Sequence, residues 1–140
     1  MKQEDKQLLL KDLSSRLPYG VKILHEGWNF EWDDELSTIE RIVGIDDKFI
    51  YTKVIDTHNG EEYRDDKWPI DTFDDKLLLR PMSSMTEEEK LMYEGLMIGT
   101  DNVSYMLDVI DWLNKHHFDY RHLIEKNLAI EVTEENNPYK

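Results

Sequence analysis

The chain has 140 residues, 39% of them hydrophobic, including seven Tyr, four Phe and four Trp. That is the length of one ordinary domain with enough apolar material for a core, which excludes a disordered chain. Acidic residues number 31 against 17 basic ones, a formal charge of −14; this argues against non-specific binding to nucleic acid or an anionic membrane, since both need a cationic footprint.

An acidic surface favours solubility and suits basic partners or cations. Cysteine is absent, which removes disulfides, zinc–thiolate sites and thiol catalysis. The start Met1-Lys2-Gln3-Glu4-Asp5-Lys6 is polar, and no stretch approaches the roughly 18 apolar residues of a membrane span. Neither a signal peptide nor a membrane helix is predicted, and the expected location is cytoplasmic.

Residues 3–17 predict a helix. Leu9, Leu10, Leu13 and Leu17 follow helical spacing, Lys11, Asp12 and Arg16 fall on other faces, and Pro18-Tyr19-Gly20 stops it. From Val21 to Arg80 the pattern changes to strands. Val21, Ile23 and His25 alternate with Lys22, Leu24 and Glu26; at Gly27 the phase slips to Trp28, Phe30 and Trp32, which predicts a bulge there. The runs 39–45 and 49–55 follow, separated by the turn-like Asp46-Asp47. Asn59-Gly60 is the strongest hairpin signal, because both central residues of a type I′ turn need positive φ. Its second arm runs from Glu61 to Trp68. Pro69–Phe73 reads as one helical turn, and Lys76–Arg80 as a short strand closed by Pro81. The expected fold class is α+β: a small SH3-like barrel or strongly bent antiparallel sheet over about 21–80, packed with an N-terminal helix and a C-terminal helical segment.

Thr86-Glu87-Glu88-Glu89 is a capping box that opens a helix running to about Ile98. Another helix starts at Thr100 or Asp101, with Val103, Met106, Leu107, Ile110 and Leu113 as its expected core face. A third is expected near Asp119, with Leu123 and Ile124 inward, then an edge strand over Leu128–Val132 and a loose tail over 133–140. Without repeats or a Pro/Gly/Ser linker, residues 1–132 are expected to form a single domain with helical segments over 86–126.

Catalytic signatures are missing. None of the six glycines forms GxGxxG or a P-loop, no serine sits in a nucleophile elbow, and there is no EF-hand pattern. Close pairs such as Asp33-Asp34 and Asp74-Asp75 arise by chance among 31 carboxylates, so no catalytic dyad can be picked. No catalytic residue and no cofactor is assigned.

Three features bear on function. The segment 116–122 (HHFDYRH) joins three of the five histidines to a carboxylate, a donor set that suits zinc or another divalent transition metal. A helical ligand pair needs i,i+4 spacing, whereas these histidines are adjacent or five apart. The metal candidates His116, His117, Asp119 and His122 therefore fit structural roles better, His117 extending a core face and Asp119 capping the next helix through the backbone of Arg121 or His122. The stretch Gly27–Glu35 is acidic and aromatic. There Trp28 and Phe30 are read as core, while Trp32, Asp33, Asp34 and Glu35 are candidate contacts for a basic partner. Five of the six methionines lie within 82–106, as core fillers or an adaptable binding face, with core the better fit. The run Asp56–Asp75 carries eight carboxylates that could imitate a phosphate backbone, though a solvated acidic face explains them better.

Three segments carry a family likeness: 4–13 (EDKQLLLKDL) with 16–22 (RLPYGVK), 80–88 (RPMSSMTEE), and 117–121 (HFDYR) with 123–126 (LIEK). Together they resemble a family of short uncharacterised proteins from gut bacteria and their phages. The likeness covers both ends and the 80–90 junction, and the strands between are less similar. It implies a bacterial or phage cytoplasmic setting and carries over no activity, substrate or site residue. Members of that family often have glycine where His122 stands.

The leading expectation is a non-enzymatic protein–protein interaction module that presents an acidic face to an unknown, basic protein partner. The alternatives are a nucleic-acid mimic or inhibitor of a DNA- or RNA-binding protein of phage–host type, and a small metal-dependent enzyme.

Overall fold

The computed structural model describes residues 2–29, 34–56, 58–98 and 101–139, with the backbone alone at 28, 29 and 34–36. Helix α1 spans Gln3–Arg16 and buries Leu9, Asp12, Leu13 and Arg16. A 3₁₀ turn over Leu17–Tyr19 ends it, and Gly20 closes the turn at φ 67°, a left-handed conformation that costs glycine least.

Six strands follow the alternation seen in the sequence: β1 (Lys22–Asn29), β2 (Asp34–Ile45), β3 (Phe49–Ile55), β4 (Glu62–Pro69), β5 (Lys76–Leu79) and β6 (Ala129–Glu131). They form one mixed sheet in the order β4-β3-β2-β1-β5-β6. Strands β1 to β4 are an antiparallel meander, β5 runs antiparallel to β1, and β6 runs parallel to β5.

The fold is therefore α+β, but the sheet does not close into an SH3-like barrel. Strand β5 meets β1 through only Ile23↔Leu77 and Leu24↔Lys76, and its other edge is taken by β6 through Leu77↔Ala129. That leaves β4 and β6 as open edges. The bulge is also displaced from its expected place. Register is unbroken through Gly27, and the irregularities fall in β2 between Ile42 and Gly44 and in the β3–β4 pairing between Val54 and Ile55.

One face of the sheet packs under α1 around Val21, Ile23, Ile42, Ile50, Ile70, Phe73, Leu77 and Leu123. Each such side chain, fully buried, contributes about 1.5–3 kcal/mol. Helices α2 (Glu87–Met97) and α3 (Val103–Lys115) follow the sheet. The capping box forms: Glu89 N donates to Thr86 Oγ1 at 3.1 Å, and Thr86 N donates to Glu89 Oε1 at 2.9 Å. The helices hold a smaller core of Val109, Leu113 and Phe118. It is tied to the sheet by Arg80 N donating to His117 O and Asp119 N to Arg80 O, both at 2.8 Å.

The expected third helix at Asp119 is replaced by turns over 120–127. His117, His122 and Asn127 adopt φ of 63°, 61° and 60°, left-handed values that interrupt any helical run. Leu123 still points inward, fully buried. The segment expected as a loose tail returns to the sheet. The Tyr139 hydroxyl donates to Leu78 O at 2.6 Å and accepts from Lys22 N at 3.0 Å.

Candidate interaction surface

Helix α3 carries two apolar stripes. Val109 and Leu113, 6% and 4% exposed, face Phe118 and the α2 residues Tyr93 and Leu96. Val103 and Leu107 are 71% and 56% exposed, and Met106 and Ile110 are exposed as well. Those four stand at i, i+3, i+4 and i+7, so they share one side of the helix. Of the five residues expected as the core face, only Leu113 is buried. The physical reason is that Val109, Trp112, Leu113 and Phe118 already fill the space against α2, which turns the neighbouring stripe outward.

Helix α2 adds Leu91, Met92 and Met97, all exposed, and Ile98 follows at 81%. Gly95 lies open, with nothing within 4 Å of where a side chain would start. The methionines divide accordingly. Met82 and Met85 pack against the small core, while Met92, Met97 and Met106 stay exposed, so the core-filler reading fails for those three.

Charge around this surface is one-sided. The two helices carry Glu87, Glu88, Glu89, Glu94, Asp108 and Asp111 against Lys90 and Lys115. Glu89 is engaged by Arg80, whose two terminal nitrogens donate at 2.8 and 2.7 Å. That bidentate pair holds the Glu89 acid down at about 2. Lys90 reaches Glu87 at 3.3 Å. Glu88, Glu94, Asp108 and Asp111 have no ion-pair partner among the described residues.

The metal candidates serve separate tasks. His116 packs on Trp112 with ring centroids 4.7 Å apart, and its Nδ1 lies 3.9 Å from Glu89; burial lowers its pKa. His117 does not extend the α3 face; it stacks on Tyr139 at 3.5 Å, and burial with nearby cations pushes its pKa down to about 3. Asp119 caps a turn instead of a helix, accepting from Leu123 N at 2.8 Å and Ile124 N at 3.0 Å. His122 is exposed, with Nδ1 3.8 Å from Glu125. Among the described residues, no group of three His, Cys, Asp or Glu is placed to hold a metal ion. Of the partner candidates, Trp32 and Asp33 lie outside the described residues. Asp34 and Glu35 are described as backbone in β2, paired with Asn29 and Trp28.

A polar constellation that spacing did not reveal sits on the sheet. His25 Nδ1 lies 2.8 and 3.0 Å from the two Asp75 oxygens, and its ring stacks on Trp68 at 4.3 Å. Trp68 Nε1 donates at 3.1 Å to the fully buried Glu40, which also accepts from Thr52 at 2.6 Å and Thr38 at 3.0 Å. Burial raises the Asp75 pKa. A cavity of about 320 Å³ opens beside His25 and Trp68. Three donors satisfy Glu40 and an imidazole satisfies Asp75, so the cluster reads as a buried polar network that fixes strand packing. A larger cavity of about 540 Å³ lies under the tail, and its cations are engaged, Arg41 by Glu62 and Lys22 by Pro138 O.

No protein-family model matches the chain, no curated protein matches it in sequence, and no solved structure matches it. Among the described residues, no helix is long and apolar enough to cross a membrane.

Proposed function

We propose that this chain is a non-enzymatic protein–protein interaction module that binds through the outward face of α3 and the exposed apolar residues of α2. The observation that carries this reading is the open stripe of Val103, Met106, Leu107 and Ile110, which leaves a helix apolar on two adjacent sides with only one side covered. Covering four such side chains yields about 1.5–3 kcal/mol each before association costs, enough for a hot spot. Exposed methionines let one surface adapt to a partner's shape. The resemblance of the terminal segments suits a bacterial or phage cytoplasmic setting for such a module.

The sheet offers less to a nucleic-acid mimic. A phosphate-like array needs free carboxylates, yet along β4 Glu62 pairs with Arg41 at 2.5 Å, Asp65 with Lys53 at 2.8 Å and Asp66 with Arg64 at 2.9 Å.

The test uses the full chain and its Leu107→Ser/Ile110→Ser variant as parallel baits in bacterial lysate, eluted stepwise with salt and read by mass spectrometry. A stoichiometric partner held by the parent at high salt and lost by the variant is the expected outcome. Recovery of the same proteins by both baits contradicts the reading.

A further inference from the structure

We infer that the segment covering the α3 stripe is a basic amphipathic helix of the partner protein, an inference that rests on the interaction reading above. A helix apolar on two adjacent sides belongs inside a bundle. Here α2 and the Phe118 region cover one side of α3, and among the described residues no third helix stands beside Val103, Met106, Leu107 and Ile110. Their i, i+3, i+4, i+7 spacing is the pattern on which one helix seats against another, whereas an extended segment would add to a sheet edge.

The chain's own tail does not supply that helix, since Tyr139 docks it on Lys22 and Leu78 at the sheet. A second copy fits poorly. Each copy carries a formal charge of −14, and pairing would bring two acidic α2–α3 hairpins together. Asp111 stands one turn after Leu107 and borders the stripe, Asp108 lies further round the same flank, and neither has an ion-pair partner among the described residues, so a seated helix finds its nearest carboxylate at Asp111. Lysine or arginine flanking the partner's apolar stripe satisfies them, and the same charges reject acidic helices.

The experiment measures binding of three labelled peptides of α3's length to the full chain by fluorescence anisotropy at about 0.15 M salt. One is a leucine–lysine sequence with helical periodicity, the second has glutamate for every lysine, and the third rearranges the leucine–lysine composition into strict alternation. The helical lysine peptide is expected to bind at least about tenfold tighter than either of the others. Leu107→Ser/Ile110→Ser should weaken it about tenfold or more. Asp108→Lys/Asp111→Lys should weaken it similarly while strengthening the glutamate peptide, a reversal that misfolding cannot imitate. Equal binding of the two lysine peptides, or binding unchanged by Leu107→Ser/Ile110→Ser, overturns the inference, since bulk charge then explains it. Sedimentation equilibrium separates the two readings. A parent dimer broken by Leu107→Ser/Ile110→Ser would give the stripe to a second copy and overturn the basic helix alone. A monomer whose stripe discriminates neither peptides nor lysate proteins would overturn the interaction reading too.

Discussion

Val109 and Leu107 stand two residues apart on α3, yet Val109 is 6% exposed and Leu107 56%. The helix turns roughly 200° over two residues, so one side chain meets the α2–Phe118 core and the other does not. The same division separates Leu113 from Ile110. Leu113→Ala should cost about 2–5 kcal/mol, through lost transfer energy and the cavity left behind. Leu107→Ser should stay within about 0.5 kcal/mol of the parent. Urea unfolding of both variants checks this, and comparable losses would place the stripe inside.

Asp12 and Arg16 form a second testable pair. Both are fully buried, and Arg16 Nε donates to Asp12 Oδ2 at 2.7 Å while its Nη2 donates to Phe118 O at 2.6 Å. Burial raises the Asp12 pKa even against the neighbouring guanidinium, a sign of how strongly water is excluded. Arg16→Met should destabilise by about 3–5 kcal/mol because it leaves the buried Asp12 carboxyl with only Arg121 Nε, 3.4 Å away, whereas Asp12→Leu/Arg16→Met, which removes that carboxyl, should cost less. A double-mutant cycle by urea unfolding reads the difference. A double variant as unstable as the single one would contradict it.

The His117–Tyr139 stack sets a pH dependence. The unfolded chain takes up the imidazole proton near the ordinary value of 6.5, and the folded chain only near 3. Between those values the unfolded state binds more protons, so stability contributed by neutral His117 is complete above 6.5 and is lost as pH falls toward 3. His117→Asn tolerates the left-handed backbone and removes the titrating group. Its stability should fall less steeply than the parent's between pH 6.5 and the onset of carboxylate titration, measured as the urea midpoint against pH. Parallel profiles would contradict the assignment.

Local features were legible in the sequence because they depend on neighbours in the chain. Asn59-Gly60 lies in the connection from β3 to β4, though with positive φ at Gly60 and not at Asn59, so the expected type I′ turn does not form; Thr86 and Glu89 form the capping box, and Pro18-Tyr19-Gly20 ends α1. What failed depends on distant partners. The open sheet follows from β6 seizing the edge of β5, a pairing of Leu77 with Ala129 that no local pattern announces. Periodicity shows that α3 has apolar sides but not which one the core covers, so Val103, Met106, Leu107 and Ile110 read like Val109. The turns after Asp119 were hidden because left-handed backbone at His117 and His122 leaves no mark in residue type. His25, Glu40, Trp68 and Asp75 come from four different segments, and only the register joins them.

The openness of the α3 stripe is tested most directly by methyl-resolved NMR of the full chain with a soluble paramagnetic cosolute. The open stripe predicts strong broadening of the Val103, Met106, Leu107 and Ile110 methyls, with those of Val109 and Leu113 protected. Equal protection of all six would contradict an exposed binding face.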